Sequence, residues 1–483
     1  MRLTDIAAST AIGALRPSSN GSGSSGGIIS QQGVRGMTRA ARANTSAVPR
    51  LTRVEPAPLS HSGSNGRETI DESTPLRPKP LFSFGVIADV QYADQDDGWN
   101  YAKTYRRYYR GALRKLRNAI DVWVRDETHS FVLQLGDVID GFNKRNGKSE
   151  AALTSVKKEI DRLADSLPLG VLNSLGNHEL YNFPKQRWAR ELDCSNFSKA
   201  VILRPSGGGH QIRAAGDSPT PSSSGDCPRS DHIAHVACDP PPVPVSGFVS
   251  STADGVDSSE TAQGEECFYY SFCPDDSHRF IALDCYDVHA IREELGPGEQ
   301  EDDVKNEDGD EDNVDGKARK LGMEMLLKHN PNENKNDNSG MDGLAQSRFV
   351  QYNGGLSEEQ LLWLENELVE ASRAGQRVVC FGHVPIHPVE PSSLTLVWNY
   401  EDVLRVLHKF DCVAMFLSGH KHRETYVRDD HGIHHVSLAA ALEAPADEEA
   451  FASIDVYPNC LELRGYGVVE SRTLALGALA EFS

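Results

Sequence analysis

The segment FVLQLGDVID, residues 131–140, joins an apolar run directly to a pair of aspartates. The run Phe131–Leu135 predicts a buried strand, because short continuous apolar runs are typical of strands covered on both faces. Gly136 precedes Asp137, and glycine permits the sharp turn and close backbone approach that a ligand-binding loop needs. In α/β folds, ligands gather at the ends of such strands. The segment therefore predicts an α/β domain with a polar site at the end of this strand.

Four further stretches repeat the arrangement of a buried strand followed by a polar motif. Each motif contains Asp, Asn, Gln or His, and these side chains suit Mn, Fe, Zn or Mg as ligands. Each motif alone is a weak signal, but all of them in one order, each after its own strand, indicate a metal centre. The motifs are Asp89-Val90-Gln91, Gly136–Asp140, Gly176-Asn177-His178-Glu179, Gly382-His383 and Gly419-His420-Lys421-His422.

The order of these motifs resembles the calcineurin-like metallophosphoesterases. The stretches RRYYR (106–110), GNHELYNF (176–183) and GHVPIHP (382–388) resemble, more closely, the manganese-dependent ADP-ribose/CDP-alcohol diphosphatase subfamily. The resemblance implies a four-layer αββα metallophosphoesterase sandwich. It also implies hydrolysis of the phosphoanhydride of nucleotide-linked diphosphates. ADP-ribose would give AMP and ribose 5-phosphate, and CDP-choline-like CDP-alcohols would give CMP and a phosphoalcohol.

Two other functions stay open. A cyclic-nucleotide phosphodiesterase or a protein phosphatase shares the same metal core, because one fold hosts several chemistries. A non-catalytic metallophosphoesterase scaffold for protein binding is the other alternative. Degenerate scaffolds usually lose ligands or the catalytic histidine, whereas every ligand position is filled here and His178 is present.

The resemblance further implies two divalent metal ions. Two dications can bind a phosphate between them and activate water. A neutral amide at Gln91, where many relatives have histidine, favours Mn²⁺, with Mg²⁺, Zn²⁺ or Fe possible. The implied ligands are Asp89, Gln91, Asp137 and His422 for one ion, and Asp137, Asn177, His383 and His420 for the other.

His178 is the predicted catalytic residue, because it directly follows the implied ligand Asn177. We expect it to donate a proton to the leaving oxygen or to stabilise the charge of the transition state. Asp140 has two interpretations of equal weight. It orients a ligand histidine from outside the metal shell, or it caps the start of a helix.

Predicted substrate contacts rest on weaker patterns. Arg107 and Arg110 lie on a helix predicted over about 101–125 and could bind a second phosphate or form a solvated helix face. Tyr101, Trp398 and Tyr352 could stack on a nucleobase or pack in the core. The turn at 353–355 could offer backbone N–H groups to a phosphate, or be an ordinary loop. The candidates are Tyr101, Arg107, Arg110, Asn353, Gly354 and Trp398.

The rest of the 483-residue chain divides by composition. Residues 1–79 are rich in Ser, Gly and Arg and predict a disordered tail or a transit-like segment. The domain spans 80–475, interrupted by low-complexity insertions at about 204–266 and 293–340. Residues 293–315 carry twelve acids against one base, and the stretch 293–340 is also Asn-rich, which predicts disorder apart from a helical turn or two at Leu321–Leu327. The first insertion contains a weaker zinc candidate made of Cys227, His232, His235 and Cys238.

Charge and cysteine usage restrict the partners and the compartment. A net charge of -21 argues against nucleic acid or an anionic membrane surface as partner. No apolar run approaches the roughly 20 residues that span a bilayer. The nine cysteines contain no CxxC pair, which favours a reducing environment. We therefore expect a cytoplasmic monomer that acts on small nucleotide diphosphates, with mitochondrion or plastid as the alternative location because the N-terminus is rich in Arg and Ser.

Overall fold

Two mixed β-sheets form the centre of the protein in this computed structural model, which describes residues 78–192, 212–214, 268–299, 314–389 and 394–478. In chain order the strands are β1 (Phe82–Ile87), β2 (Gly98–Trp99), β3 (Arg106–Arg107), β4 (His129–Gln134), β5 (Val171–Asn173), β6 (Ile212–Ala214), β7 (Tyr270–Asp275), β8 (His278–Ala282), β9 (Arg377–Phe381), β10 (Val413–Ser418), β11 (Thr425–Arg428), β12 (His434–Ser437), β13 (Ala450–Val456), β14 (Cys460–Gly467) and β15 (Arg472–Ala475).

The helices alternate with the strands through most of the described chain. In chain order they are α1 (Tyr109–Arg125), α2 (Phe142–Arg145), α3 (Ser149–Ala164), α4 (Asn177–Asn182), α5 (Lys185–Glu191), α6 (Val314–His329), α7 (Gly343–Ser347), α8 (Glu358–Arg373) and α9 (Tyr400–Leu407).

The strand order places the parallel strands side by side in each sheet. The first sheet has the order β15-β14-β13-β1-β4-β5, in which β1, β4 and β5 are parallel. The second has the order β11-β12-β10-β9-β8-β7-β6, in which β8, β9, β10 and β12 are parallel. Parallel neighbours end at the same edge of a sheet, so the polar motifs that follow them are brought to one side.

Aromatic side chains join the two sheets face to face. Phe84 and Phe131 of the first sheet contact Phe280 of the second, with ring centroids 5.1 and 5.0 Å apart. All of these rings are completely buried. Burying each such side chain contributes about 1.5–3 kcal/mol to the stability of the fold.

Helices cover the outer faces of both sheets and complete the predicted four layers. Helices α1 and α3 pack on the first sheet, where the buried Trp123 donates its indole N–H to Ala452 O at 3.2 Å. Helix α8 packs on β9 of the second sheet through the buried Leu364 and Leu368. The four-layer αββα prediction is confirmed.

Helix boundaries agree with the sequence where local capping is strong. Ser357 Oγ accepts the backbone N–H of Gln360 at 3.1 Å, so the Ser-x-x-Gln pattern at 357–360, which predicts a helix start, is followed by α8. The helix predicted from 101 begins only at Tyr109, because residues 98–107 form the short ribbon β2–β3. Asn100 Oδ1 accepts two backbone N–H groups of the turn in that ribbon, and this local bond competes with helix formation.

Both predicted insertions contain described structure. Residues 212–214 of the first pair with β7 as an edge strand, whereas the tail at 1–77 and the candidate zinc residues Cys227–Cys238 lie outside the described residues. The second contains helix α6, which has more than four turns and begins at residue 314. Its Leu326 is fully buried with Phe349 and Trp398. The helical turn predicted at Leu321–Leu327 is part of this longer helix, and the prediction of disorder is wrong for the rest of 314–340. Within the described ranges, no helix is both long and apolar enough to cross a bilayer.

Candidate metal centre

The predicted ligands converge from the ends of five parallel strands. Motifs after β1, β4 and β5 supply the ligands from the first sheet, and motifs after β9 and β10 supply those from the second. The first six of the following ligands are buried, and the His422 side chain is 13% exposed. The structure thus brings together Asp89, Gln91, Asp137, Asn177, His383, His420 and His422.

Asp137 belongs to two adjacent groups of possible metal donors. One group contains Asp137, His383 and His420, and the other contains Asp89, Asp137 and His422. Within each group the donor atoms lie within 4.8 Å of one another. This is the arrangement that a carboxylate shared by two ions requires.

Left-handed backbone conformation marks these residues. Among the described residues other than glycine, positive φ occurs at Lys103 and at five of the predicted ligands. Such a conformation costs on the order of 1–3 kcal/mol per residue and persists where the surroundings enforce it, which is typical of functional sites. The five residues and their φ values are Asp89 (51°), Gln91 (41°), Asp137 (60°), His420 (64°) and His422 (60°).

The hydrogen bonds of two histidines leave one ring nitrogen of each facing the other. His383 Nδ1 donates to Leu135 O at 2.7 Å, so Nε2 of the neutral ring carries a lone pair. Asn353 Nδ2 donates to two carbonyls, so its Oδ1 must accept a proton from His420 Nε2 at 2.8 Å, and His420 Nδ1 carries a lone pair. These two nitrogens are 3.1 Å apart. In the metal-free protein a proton on His383 Nε2, favoured by Asp137, joins the two rings, and a divalent ion beside both nitrogens would take the place of that proton.

The donor set therefore fits divalent metal ions. Besides the facing nitrogens, Gln91 Oε1 is buried and has no hydrogen-bond partner among the described residues. A buried amide oxygen without a partner is unfavourable unless something binds it. Carboxylate and amide oxygens mixed with imidazole nitrogens suit Mn²⁺ among the candidate ions.

The electrostatics of the centre favour positive charge. Burial alone would lower the pKa of His383, but the charge of Asp137 and a hydrogen bond to it raise this pKa to about 9. Burial likewise opposes protonation of His422, yet Asp89 and Glu443 raise its pKa to about 9. The carboxylates thus stabilise a cationic charge at this position.

Glu179, the last residue of its motif, holds two of the ligand loops together. One of its carboxylate oxygens accepts the backbone N–H groups of Asp137 and Gly176, each at 2.8 Å, and the other accepts that of Val138 at 2.7 Å. A Cβ on Gly176 would lie 2.1 Å from Asp137 Oδ1, so only glycine fits there. Burial and the nearby charge of Asp137 raise the pKa of Glu179 to about 7.

His178 lies beside the centre in one defined tautomer. Its Nδ1 accepts the backbone N–H of Gly141 at 2.9 Å, which places the proton of the neutral ring on Nε2. The ring is 17% exposed and is therefore accessible to a substrate. Asp140 Oδ1 accepts the N–H of Phe142 at the start of α2, which agrees with the predicted capping role. Its Oδ2 lies 3.4 Å from His178 Nδ1, which is not a predicted metal ligand.

Comparison with known proteins gives a consistent set of relatives. A manganese-dependent ADP-ribose/CDP-alcohol diphosphatase of Xenopus tropicalis is 33% identical over 400 residues, which cover 82% of this chain and 94% of the relative. The relative of the same name from Homo sapiens is 33% identical over 395 residues, 82% of this chain and 92% of the relative. This chain belongs to the manganese-dependent ADP-ribose/CDP-alcohol diphosphatase family. No protein-family model matches it.

A solved structure agrees with this family assignment. A dimetal phosphatase from Danio rerio matches 83% of this chain and 100% of its own length, with 30% sequence identity and a TM-score of 0.60. The Arabidopsis thaliana member of the diphosphatase family is 32% identical over 393 residues, which are 81% of this chain and 96% of that relative.

Glu443 contacts a predicted ligand of this diphosphatase-family chain, and the sequence did not indicate this role. Its Oε1 accepts His422 Nδ1–H at 2.9 Å, and its carboxylate also pairs with Arg107 and Arg423 at 3.2 and 2.7 Å. Burial opposes its ionisation, but His422 and the arginines lower its pKa to about 2. A carboxylate that fixes the tautomer of a ligand histidine strengthens metal binding. No local pattern around residue 443 indicates this role.

Three predicted substrate contacts lie in the protein interior. Asn353 is completely buried and orients His420, as described above, so its side chain is not available to a substrate. Trp398 is also completely buried and donates its indole N–H to Val350 O, which leaves no face for a nucleobase. Packing requires glycine at 354, because a Cβ there would lie 2.3 Å from Cys285 O. The predicted stacking on Trp398 is wrong, since composition and spacing do not reveal burial. The contact of the 353–355 backbone with a phosphate stays a prediction.

The remaining substrate candidates lie at the surface near the ribbon β2–β3. Arg110 is 52% exposed and pairs with Asp94 and Asp96 at 2.6 and 2.7 Å, as expected for the solvated helix face. Arg107 is 22% exposed and reaches Glu443 next to the centre. Tyr101 is 49% exposed in the turn of the ribbon, and its contact with a nucleobase stays a prediction.

Proposed function

We propose that this chain hydrolyses the phosphoanhydride bond of nucleotide-linked diphosphates, with two divalent ions, preferably Mn²⁺, at the metal centre. ADP-ribose is expected to give AMP and ribose 5-phosphate, and CDP-choline is expected to give CMP and phosphocholine. One observation carries the proposal: the Asp137 carboxylate belongs to both groups of donor atoms and would be shared by two ions. The names of the relatives supply the substrate class and the preferred ion.

The ions would be held by Asp89, Gln91, Asp137, Asn177, His383, His420 and His422. When bound, they supply the positive charge that binds phosphate oxygens and activates water. The protein's own contribution is orientation. Glu179 fixes the backbone of the Asp137 loop, Asn353 fixes His420, and Glu443 fixes His422.

His178 is the proposed catalytic residue. Its neutral ring keeps the proton on Nε2, because Gly141 N–H occupies Nδ1. The Nε2–H group therefore donates a hydrogen bond to the leaving phosphate oxygen and stabilises the negative charge that develops there, while the proton stays on the ring.

Arg107 and Arg423 are proposed to bind the phosphate that is not attacked. Both pair with Glu443, which in turn contacts His422, so both guanidinium groups lie next to the centre. Arg423 also lies over the ring of Tyr105, 3.1 Å from its centroid, and that ring is 46% exposed. An arginine beside an exposed aromatic ring suits a substrate that combines a diphosphate with a flat base.

A substrate panel tests the proposal. The full-length chain, loaded in turn with Mn²⁺, Mg²⁺ or Zn²⁺, is assayed with ADP-ribose, CDP-choline, cyclic nucleotides and a phosphopeptide, and the products are identified by chromatography. We expect AMP or CMP as products, with the highest rate in Mn²⁺. Activity on cyclic nucleotides or the phosphopeptide alone would refute the assignment. The Asp137→Asn variant serves as the control for a contaminating hydrolase.

A further inference from the structure

A second group of metal-binding side chains lies apart from the centre described above. His387 follows β9, Asp429 follows β11, and His435 is in β12. One donor atom from each of these three residues lies within 4.8 Å of the others. His408, which caps the C-terminus of α9, contacts the same aspartate. We call these four residues the second histidine cluster.

Asp429 is the centre of this cluster. Its Oδ1 accepts the backbone N–H groups of His431 and Ile433 at 3.0 and 2.9 Å, which fixes the carboxylate. Its Oδ2 lies 2.9 Å from His435 Nε2 and 3.0 Å from His408 Nε2. Donor atoms around a tetrahedral zinc ion, with bonds of about 2.0–2.1 Å, are roughly 3.3 Å apart. The spacing is therefore close to that of a metal site without a large rearrangement.

His387 and His435 carry nitrogen atoms that hydrogen bonds do not satisfy. Their ring centroids are 4.6 Å apart, and Nδ1 of each ring is buried without a hydrogen-bond partner among the described residues. Leaving a buried polar atom unpaired costs on the order of 1–3 kcal/mol. Burial lowers the pKa of both rings, which keeps them neutral, the form that binds metals.

A network of hydrogen bonds alone explains only part of this geometry. Two neutral histidines donating to Asp429 account for the Nε2 atoms of His408 and His435. They do not explain why a third imidazole, His387, lies against His435 with its buried Nδ1 unpartnered among the described residues. A cation accounts for the third ring.

We propose that His387, His408, Asp429 and His435 form a third metal site that takes a borderline transition-metal ion such as Zn²⁺ or Co²⁺. Three imidazoles and one carboxylate match the donor types that zinc takes in proteins. The ion ties together the loop after β9, the end of α9 and the hairpin β11–β12. Because His383 lies on that same loop, only a few residues before His387, the ion also steadies a ligand of the first centre.

Metal binding in a chain whose first centre is disabled tests this site. The full-length double variant Asp137→Asn/His420→Ala is titrated with Co²⁺, followed by visible absorption and by metal analysis after equilibrium dialysis. We expect one equivalent of Co²⁺ per chain, and Zn²⁺ should displace it. In the same background His387→Phe keeps the ring packing, removes the donor and should weaken Co²⁺ binding at least about 10-fold.

His434→Ala is the matched control, because this neighbouring histidine contacts Tyr426 and Ala475 and not the cluster. It should leave Co²⁺ binding unchanged. Circular dichroism melts check that each variant is folded, and His408→Phe provides a second donor deletion at the end of α9. If the double variant binds no Co²⁺, or binds it equally after His387→Phe and His408→Phe, the cluster is only a hydrogen-bond network and the proposal is overturned.

Discussion

The metal centre and the segment around α6 both bury polar side chains, but they do so in opposite ways. At the centre, five ligands have left-handed backbone, and ring nitrogens of His383 and His420 lie 3.1 Å apart. In the segment 314–342, no described residue other than glycine has positive φ. The backbone of the centre departs from the φ values that its residues prefer, whereas the backbone of the α6 segment keeps to them.

The α6 segment pairs several of its polar groups within itself and with the domain, and the buried Asn336 Oδ1 has no hydrogen-bond partner among the described residues. The buried Asn330 donates to Phe349 O and Asp337 O at 2.9 and 3.1 Å. Lys335 Nζ donates to the carbonyl groups of Asn330 and Asn332, each at 2.7 Å. Asparagine side chains here donate hydrogen bonds to backbone carbonyl groups, and these bonds hold the Asn-rich stretch that was predicted to be disordered.

This difference indicates that the residues of the centre serve function and those of the α6 segment serve stability. Backbone strain at the centre is retained where a ligand is to bind, and a fold tolerates such strain only when the surroundings enforce it. We therefore expect changes at the centre to remove activity with a small effect on folding. Changes in the α6 segment should reduce folding stability with a small effect on turnover.

Asp137→Asn should have the largest effect. It weakens both proposed ion positions at once, so turnover should fall roughly 10³-fold or more, and bound Mn²⁺ should fall below two ions per chain. The melting temperature of the metal-free protein should change little. A variant that keeps a tenth of the wild-type rate with two bound ions would exclude the bridging role.

His178→Ala tests whether the histidine acts only in the transition state. Turnover should fall by about 10²–10⁴-fold while KM stays within a few-fold, because the proton is needed only as charge develops. Both ions should stay bound, and the loss should be smaller for a substrate with a good leaving group. A rise in KM alone, or the loss of an ion, would show that His178 is a binding or structural residue.

Leu326→Ala tests the opposite side of the comparison. Leu326 is fully buried beside Phe349 and Trp398, so its truncation should cost about 2–4 kcal/mol of unfolding free energy. Leu327→Ala on the same helix is the control, since Leu327 is 63% exposed and should cost little. Equal effects in urea unfolding would mean that α6 does not pack on the domain.

Asp315→Asn should have the smallest effect and should depend on pH. Burial opposes ionisation of Asp315, but His289, at 3.1 Å, and Lys185 lower its pKa from 3.8 to about 2. A lowered pKa in the folded state stabilises the fold above pH 4, and this contribution disappears as the pH falls towards 2. We expect a loss of about 1–2 kcal/mol at neutral pH.

The pH dependence of that loss is the informative measurement. The difference in unfolding free energy between wild type and Asp315→Asn should shrink between pH 4 and pH 2. Glu324→Gln, an exposed change on the same helix, should show no such trend. A difference that is constant over this range would rule out the contact between Asp315 and His289 as its source.

The sequence by itself determined the order of strands and ligand motifs. Apolar runs ending in Asp137, His383 or His420 are local patterns, and the ends of parallel strands meet by geometry alone. The start of α8 was also predictable, because Ser357 and Gln360 are three residues apart and bond within one turn. Such features depend on neighbours along the chain.

Only the tertiary structure decided which residues support the ligands. Asn353 and His420 are separated by 67 residues, and Glu443 lies 21 residues from His422, so no local pattern joins them. The docking of α6 likewise depends on Leu326 meeting Phe349 and Trp398, which come from other parts of the chain. Periodicity and turn chemistry report on neighbours, whereas burial and tautomer choice depend on residues that only folding brings together.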